Sequence, residues 1–326
     1  MRKLIFLLLF ILIISCANSN NIVWMKKTEL NCQYVILKNN QLIIWSIGKG
    51  YTVIDKNGNE KGKNIFKNGD RLQRVSNIKV MNSNLNTYGI IYSDKEQMDI
   101  VEILNNGEIN EITKVKDDYL GDGKDYLVSE DKKRYMMFNG LYESVNPLDQ
   151  ETVKTPDKWL DVKTQETKEI INPSISEGYH KIYYNKNKYF SVDWKYLWIK
   201  GIGTINFKEK VLGKDAKIYF GEEKFPREDW DDTQEYSFFT FGEDGYYYSL
   251  YIEGIDDKNN SKSYYIVKLT DNFEVIGKRL IKTPDFIGRS PVANIAVDKD
   301  GYIYIISDIE KSLTKFKPIK EKEEIQ

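Results

Sequence analysis

Histidine and cysteine are scarce in this sequence. The 326 residues contain one histidine and two cysteines. A metal site built from two or three histidines is therefore excluded, and any Ser-His-Asp triad would have to use His180. The sequence around His180 contains neither a nucleophile elbow nor a Cys-His motif. We interpret His180 as a structural or surface residue.

An excess of charge of one sign is also lacking. Lysine and arginine total 48, aspartate and glutamate total 49, and the formal net charge is −1. The two signs are interspersed along the chain, whereas binding to nucleic acid or to an anionic membrane surface requires a basic patch. No glycine-rich run ends in the Gly-Lys-Ser/Thr of a phosphate loop. Nucleic acid is therefore not a predicted partner.

Long apolar runs are confined to the N-terminus. Arg2 and Lys3 precede the unbroken apolar residues 4–14, which are followed by a small residue, Ser15. A membrane-spanning helix needs ~20 apolar residues, so this run is too short to cross a bilayer. A basic start, a short apolar run and a small residue at its end predict a signal peptide over residues 1–15.

The end of this segment, Ile13-Ile14-Ser15-Cys16, resembles the lipobox of bacterial lipoproteins. The resemblance implies diacylglycerol on the Cys16 thiol, cleavage before Cys16, and acylation (palmitate or a similar fatty acid) of the new amino terminus. It also implies a cell-envelope protein held on a bacterial membrane, at the outer membrane, on its periplasmic or surface face. Residues 16–21 would form a lipidated flexible tether. The alternative is an accidental thiol beside a conventional cleavage site.

Lipidation of Cys16 would leave Cys32 with no partner in the chain. An exported protein without an internal disulfide must be stabilised by core packing, which a chain of this length permits. We interpret Cys32 as a small buried residue, because no feature of the surrounding sequence would lower its pKa.

The rest of the chain is patterned as β-strands. Helical periodicity is nearly absent, and short apolar or aromatic runs alternate with Gly, Asn and Asp turns. In residues 246–252 and in residues 302–306, the odd-numbered and the even-numbered side chains are both largely apolar. Because these two sets point to opposite faces of a strand, the pattern predicts strands covered on both faces. Hairpin turns are predicted at four dipeptides that favour positive φ, namely Asn57-Gly58, Asn106-Gly107, Asp244-Gly245 and Asp300-Gly301.

These strands and turns recur as a larger unit. Residues 238–276 read as strand, tight turn, strand, loop, strand, turn and strand, and residues 295–306 repeat the first half. A four-stranded unit is the blade of a β-propeller. The segments 298–304 (DKDGYIY) and 242–248 (GEDGYYY) resemble the D-x-x-G repeat of NHL-like bacterial propellers. The predicted fold is an all-β, single-domain β-propeller over residues 22–318.

About six blades are predicted, each near the usual length of ~40 to 50 residues. The last blade is short of a strand, which residues 22–25 would supply, closing the ring and removing an exposed edge. Residues 319–326 read as a disordered charged tail. The predicted blades cover residues 35–70, 75–118, 120–172, 176–215, 232–283 and 290–318.

Three aromatic residues are candidates for ligand binding. Trp194, Tyr196 and Trp198 fall on one face of a predicted strand. Tyr and Trp are typical binding anchors, so this face could stack on a sugar or a peptide. Packing between blades is the alternative, because aromatic side chains dominate cores as well.

Acidic residues provide the weak candidates for a metal site. Asp229, Asp231 and Asp232 lie in one acidic stretch, and oxygen ligands on propeller loops suit calcium. A solvated loop is the alternative. The stretch 55–60 also carries alternating oxygen ligands, but it lacks the EF-hand spacing and is better explained as a hairpin turn. No cofactor other than calcium is suggested.

These patterns favour a lipid-anchored, non-catalytic platform for binding or assembly in the cell envelope, with a small ligand or another envelope protein as its partner. The enzyme alternative is a calcium-dependent, lactonase-like propeller hydrolase, whose acidic and amide ligands leave little linear signature. A structural envelope protein is a third reading.

Overall fold

The computed structural model describes parts of the chain between Asn21 and Ile325, with gaps between them. The described residues are 21–28, 34–80, 87–92, 97–104, 107–116, 125–128, 132, 134–138, 157–161, 167–171, 181–185, 188–193, 196–199, 203–206, 218–219, 236–256, 261–281, 295–307 and 311–325.

The chain divides into two compact units. Unit 1 comprises Met1–Ile65 with Phe238–Gln326, and unit 2 comprises Phe66–Ser237. Within the described residues the chain forms 26 strands in six sheets, and the only helix is a 3-10 turn at Arg71–Arg74. No helix in these ranges is long and apolar enough to cross a membrane.

Unit 1 contains sheets I, V and VI, numbered in chain order. Sheet I consists of β2 (Tyr34–Lys38), β3 (Gln41–Ser46), β4 (Gly50–Asp55) and β5 (Glu60–Ile65). Sheet V consists of β19 (Tyr236–Phe241), β20 (Tyr247–Asp256), β21 (Ser261–Leu269), β22 (Val275–Ile281) and β26 (Glu324–Ile325). Sheet VI consists of β23 (Ile295–Val297), β24 (Ile303–Ser307), β25 (Ser312–Phe316) and β1 (Ile22–Lys27).

Unit 2 contains sheets II, III and IV. Sheet II consists of β6 (Val75–Val80), β7 (Thr87–Tyr92), β8 (Gln97–Ile103) and β9 (Ile109–Lys116). Sheet III consists of β10 (Asp125–Val128), β11 (Arg134–Phe138), β12 (Asp157–Asp161) and β13 (Thr167–Ile171). Sheet IV consists of β14 (Lys181–Asn185), β15 (Lys188–Asp193), β16 (Tyr196–Ile199), β17 (Gly203–Asn206) and β18 (Ile218–Tyr219).

Consecutive antiparallel sheets of this kind are propeller blades, so the predicted fold class is confirmed. Each of the six sheets in the described residues overlaps one of the predicted blades. Sheets I, II, III and VI have four strands, and sheets IV and V each carry a fifth at one edge. The fifth strand of sheet V, β26, runs parallel to β22, whereas its neighbours β21 and β22 pair antiparallel, as do β20 and β21.

Residues 247–250 of β20 and the whole of β24 are buried on both faces, as predicted from the apolar residues on each face. Tyr247, Tyr248, Ser249 and Leu250 are each at most 1% exposed, although successive side chains point to opposite faces of the sheet. The same holds for β24, whose five residues are all buried. Sheet V and sheet VI therefore carry packed side chains on each side.

Five hairpin turns in the described residues share one hydrogen-bond pattern. In each, the first amide donates to the carbonyl four residues on, and the fourth amide donates back to the first carbonyl. The fourth residue has positive φ, as in a type I turn followed by a left-handed residue. This confirms the positive φ predicted at the glycines of the four dipeptides. The turns begin at Asp55, Leu104, Gly242, Thr270 and Asp298.

Phe273 occupies the position that glycine holds in the other four turns. Its φ is 62°, a conformation that costs a side-chain-bearing residue roughly 1–2 kcal/mol. Phe273 is 1% exposed, and its ring stacks on Tyr247 at 4.9 Å between centroids. Burying a phenylalanine contributes about 1.5–3 kcal/mol, which is enough to offset the backbone strain.

Strand β1 completes sheet VI, as predicted from residues 22–25. It pairs antiparallel with β25, from Ile22 opposite Phe316 to Lys27 opposite Ser312. Its side chains alternate between half-buried and exposed positions. Half-buried Trp24 packs against a buried cluster, and its ring lies 6.1 Å from that of Tyr304. The cluster joins sheets I and VI through Val35, Leu37, Leu42, Ile44, Ile54, Ala296, Tyr304, Ile306 and Leu313.

The C-terminal segment, residues 317–325, packs against sheet V. The guanidinium of Arg279, which is 3% exposed, donates to Glu323 Oε1 and to the carbonyls of Lys317 and Pro318. Ile319 is 4% exposed. The prediction of a disordered tail is therefore wrong for residues 319–325, because a buried cation on β22 uses this segment for its partners. Gln326 lies outside the described residues.

We predict that Trp24→Ala destabilises unit 1 by about 2–3 kcal/mol. Truncating a fully buried tryptophan costs about 3–5 kcal/mol, and Trp24 is half-buried. Urea unfolding followed by circular dichroism measures the loss. Val23→Ala is the matched control, because Val23 is 44% exposed on the other face of β1, and it should cost at most about 1 kcal/mol. Equal effects of the two substitutions would contradict the packing role.

We predict that Gly277→Ala releases the C-terminal segment. A Cβ atom at Gly277 would lie 2.6 Å from the carbonyl oxygen of Lys320 and 2.8 Å from Ile319 Cγ2. Overpacking costs about 1–3 kcal/mol, so hydrogen exchange over residues 317–325 should speed up by about tenfold. In Gly62→Ala, the control, the new Cβ meets nothing within 4 Å. Unchanged exchange in Gly277→Ala would contradict the docking.

Candidate functional site

Most of the sequence-predicted site residues lie outside the described residues. This applies to Cys16, Trp194, Asp229, Asp231 and Asp232, and also to Cys32 and His180. Tyr196 and Trp198 lie on β16, where the backbone of Tyr196 pairs with Asn206 and that of Trp198 with Thr204. Ligand binding at these positions and calcium binding at the acidic stretch stay predictions.

The candidate site among the described residues is a group of three hairpin turns in unit 1, which we call the turn cluster. It consists of residues 55–58 of sheet I, 242–245 of sheet V and 298–301 of sheet VI. The amide of Glu243 donates to the carbonyl of Val297 at 3.0 Å. The amide of Lys299 donates to Glu243 Oε2 at 3.3 Å. Lys56 Nζ lies 3.5 Å from Asp298 Oδ2, so all three turns are linked.

Asp298 is the central residue of the turn cluster and is fully buried. Its Oδ1 accepts hydrogen bonds from the amides of Asp300 and Tyr302, both at 3.0 Å. Its Oδ2 accepts from the Tyr304 hydroxyl at 2.9 Å and faces the Lys56 ammonium. The first residue of the D-x-x-G motif thus caps its own turn with one oxygen and joins two sheets with the other.

Asp55 caps the equivalent turn of sheet I in the same way. Its Oδ1 accepts from the amides of Asn57 and Asn59 at 2.9 Å, and Oδ2 accepts from the Asn59 side chain at 3.0 Å. These bonds from Asn59, together with Lys61 and Asn57, lower the pKa of Asp55 below its ordinary value of 3.8. The stretch 55–60 is therefore a hairpin turn, as predicted, with its carboxylate occupied by its own loop.

In the turn of sheet V, the aspartate is the third residue, whereas in the turns of sheets I and VI it is the first. Asp244 Oδ2 accepts from the Tyr248 hydroxyl at 2.6 Å and from Lys268 Nζ at 3.0 Å. Glycine occupies the first turn position, where a Cβ would lie 2.3 Å from Asp244 Oδ1. Gly242 therefore makes room for the shifted carboxylate, and the Asp-Tyr contact of sheet VI is preserved.

The turns of sheets V and VI each have a lysine ammonium above an aromatic ring. Lys268 Nζ lies 4.0 Å from the ring centroid of Tyr246, and Lys315 Nζ lies 4.2 Å from that of Tyr302. Lys268 is the cross-strand partner of Tyr248, just as Lys315 is that of Tyr304. Sequence reasoning did not identify these lysines. Alignment of the third strand of the two repeats would have revealed the shared tyrosine-lysine register.

Burial shifts the pKa values of several side chains in and beside the turn cluster. Burial, followed by donation to Asp298, raises the pKa of Tyr304 above its ordinary value of 10.0, and burial with Asp244 does the same for Tyr248. Burial lowers the pKa of Lys315 and raises that of Glu243, the latter opposed by the charge of Lys56. The two phenols therefore stay protonated at neutral pH and act as fixed hydrogen-bond donors.

The outer rim of the turn cluster is exposed and polar. Asn57, Lys299 and Asp300 are exposed, and the Tyr246 side chain is 37% exposed beneath Lys268. Within the described residues no group of three His, Cys, Asp or Glu side chains is placed to hold a metal ion. The cluster is thus a rigid, hydrogen-bonded base with a mixed-charge rim.

No protein family model matches the chain, and no curated protein matches its sequence. Among solved structures it is similar to a DUF4221 family member from Bacteroides vulgatus, with a TM-score of 0.50, 14% identity, and coverage of 92% of this chain and 98% of that one. This likeness supports the propeller fold and, at this identity, the fold alone.

Two further similar structures have lower scores. The WD40 β-propeller domain of Doa1 has a TM-score of 0.45 and 9% identity, covering 91% of this chain and 96% of that one. An auxiliary nutrient binding protein from Bacteroides thetaiotaomicron has a TM-score of 0.45 and 13% identity, covering 89% and 69%.

We predict that Asp298→Asn destabilises the protein by about 3 kcal/mol. The amide would remove the carboxylate that lies 3.5 Å from the Lys56 ammonium, and breaking a buried pair costs about 3–5 kcal/mol. Adding Lys56→Met should recover about 1–2 kcal/mol of this in a double-mutant cycle measured by urea unfolding. Asp300→Asn, in the exposed rim of the same turn, is the control and should change stability by less than about 0.5 kcal/mol. Additive effects at positions 298 and 56 would contradict the pairing.

Proposed function

We propose that this protein is a lipid-anchored protein of the bacterial cell envelope that acts as a non-catalytic platform for binding or assembly. Its membrane anchor is diacylglycerol on Cys16, and its partner is a small ligand or another envelope protein. The observation that carries the proposal is the lipobox-like tetrad 13–16, placed five residues before the first described residue, Asn21.

The attachment of β1 supports an anchoring role for the N-terminus. The carbonyl of Asn21 accepts a hydrogen bond from the Lys317 amide at 2.9 Å, and β1 then pairs with β25 along its length. A pull on the tether is therefore transmitted into a sheet rather than into a loose loop. A single acyl chain binds a bilayer only weakly, whereas two or three chains on one cysteine hold firmly.

The chemistry of the turn cluster supports a platform rather than a catalyst at this end of unit 1. The carboxylates of Asp55, Asp244 and Asp298 are engaged by their own turns and neighbouring side chains. General acid-base catalysis favours groups with a pKa near the working pH. Burial shifts the pKa of the Tyr248 and Tyr304 phenols away from that range. It shifts the pKa of Glu243 and of Lys315 towards that range, but Glu243 Oε2 accepts from the Lys299 amide and Lys315 Nζ donates to the Lys56 carbonyl.

The experiment that tests the anchor is Cys16→Ala, expressed in a bacterium fed radioactive palmitate. The variant should lose the label and leave the membrane fraction, because the acyl chains are attached through this thiol. Cys32→Ala is the matched control and should keep both. A Cys16→Ala protein that stays labelled or membrane-bound would overturn the proposal.

Catalysis is tested separately on the purified native protein. The platform role predicts no calcium-dependent hydrolysis of simple lactones or aryl esters above the uncatalysed rate. Hydrolysis that requires calcium and disappears with a chelator would overturn the non-catalytic assignment and favour the lactonase-like alternative.

A further inference from the structure

We propose that the turn end of unit 1 faces the bilayer that holds the lipid, and that the opposite end of sheets I and VI points away from it. The turn end is the end of these sheets that carries the turn cluster. This inference rests on the proposed lipidation of Cys16, and it adds to that proposal an orientation and a membrane-contacting surface.

The first step is the position at which β1 begins. Ile22 pairs with Phe316, and Phe316 also pairs with Ile303 on its other side. Ile303 in turn pairs with Val297, and the turn 298–301 joins these two strands. The start of β1 therefore lies at the same end of sheet VI as the turn cluster.

The other end of sheet VI is marked by a separate set of contacts. Lys27 pairs with Ser312, and Ser312 pairs with Ser307. The amide of Thr28 donates to the carbonyl of Lys311 just beyond this point. Strand β1 thus runs the full height of the sheet, away from the turn end.

The second step compares two lengths. From Cys16 to Asn21 the chain makes five Cα-to-Cα steps, which span at most ~18 Å when fully extended. From Asn21 to Lys27, at the other end of β1, the chain makes six steps of ~3.3 Å and covers ~20 Å. A tether that turned back along β1 would have to be fully extended and its last Cα would still fall short of Lys27, so the anchor holds the turn end nearest the membrane surface.

The third step is the chemistry of the surface that meets the lipid headgroups. Its exposed residues carry both signs, including Lys299 and Asp300 in the turn and Lys317, Lys320 and Glu321 in the C-terminal segment. A mixed-charge surface fits a zwitterionic headgroup layer and gains little from anionic lipid. Tyr246, with its partly exposed ring and polar hydroxyl, is of the residue type enriched at membrane interfaces. The covalent anchor, and not surface charge, therefore sets the orientation.

A consequence concerns the binding surface of the platform. Within unit 1, the turn at residues 47–49, which joins β3 to β4, lies at the opposite end of sheet I from the turn at residues 55–58. In the proposed orientation this end is presented away from the membrane, where a partner can reach it.

The test uses the full-length lipidated protein in phosphatidylcholine liposomes that contain headgroup nitroxide lipid. Asn57→Cys and Lys49→Cys, each combined with Cys32→Ala, place a bimane fluorophore at exposed positions just beyond the two ends of β4. The ends of this strand are about 17 Å apart, so quenching should be at least about twofold stronger at position 57. Lys299→Cys and Lys311→Cys form a second pair on sheet VI, for use if either first variant fails to fold.

The outcomes separate this inference from the proposed function. Protein that floats with the liposomes but is quenched equally at both positions, or more strongly at position 49, overturns the orientation while leaving the anchor intact. Protein that carries lipid-free Cys16 and does not float overturns the proposed function first. Replacing a third of the phosphatidylcholine with phosphatidylglycerol should leave the quenching ratio unchanged, and a reversal of the ratio would also overturn the inference.

Discussion

The antiparallel pairing of β1 with β25 is the constraint on which the rest of unit 1 depends. It supplies the fourth strand of sheet VI from the other end of the chain and brings Trp24 against Tyr304 in the cluster that joins sheets I and VI. The same pairing fixes the position of Asn21. Strand pairing and core packing are therefore coupled through one short segment, which in the proposed function also carries the membrane anchor.

In the turn cluster, the aspartate of one motif stabilises both a single hairpin and the contact between two sheets. The carboxylate of Asp298 shapes its own hairpin with one oxygen and contacts Lys56 of the neighbouring sheet with the other. A buried charge of this kind is costly to remove from water, and it persists because every oxygen has partners. In sheet V an aspartate also accepts a hydrogen bond from a tyrosine hydroxyl, but it is Asp244, the third residue of the turn. Gly242, the first residue of that turn, leaves room for the Asp244 carboxylate. The tyrosine hydroxyl and the cross-strand lysine are the features that the two repeats keep.

Local chemistry explains which features could be predicted from the sequence. Gly58, Gly107, Gly245 and Gly301 each stand at a positive φ, which few other residues tolerate, so the hairpins and the six-unit pattern are visible in the residues themselves. Features that depend on distant partners were not visible. The order of the C-terminal segment depends on Arg279, which lies on another strand and is linked to Glu323 across 44 residues. Phe273 stands at the turn position that glycine holds in the other four hairpins, and its ring stacks on Tyr247 of another strand. The pairing of Lys56 with Asp298 requires two sheets to be adjacent.

Strand β1 is synthesised long before its partner, residues 312–316. Until the ribosome has made residues 312–316, the hydrogen-bonding edge of residues 22–27 has no native strand beside it. Contacts between such distant residues slow folding, because the loop that joins them must be closed first. The newly made polypeptide thus passes through a stage in which β1 is unpaired, and this stage is the one most open to a chaperone or to misassociation between neighbouring chains.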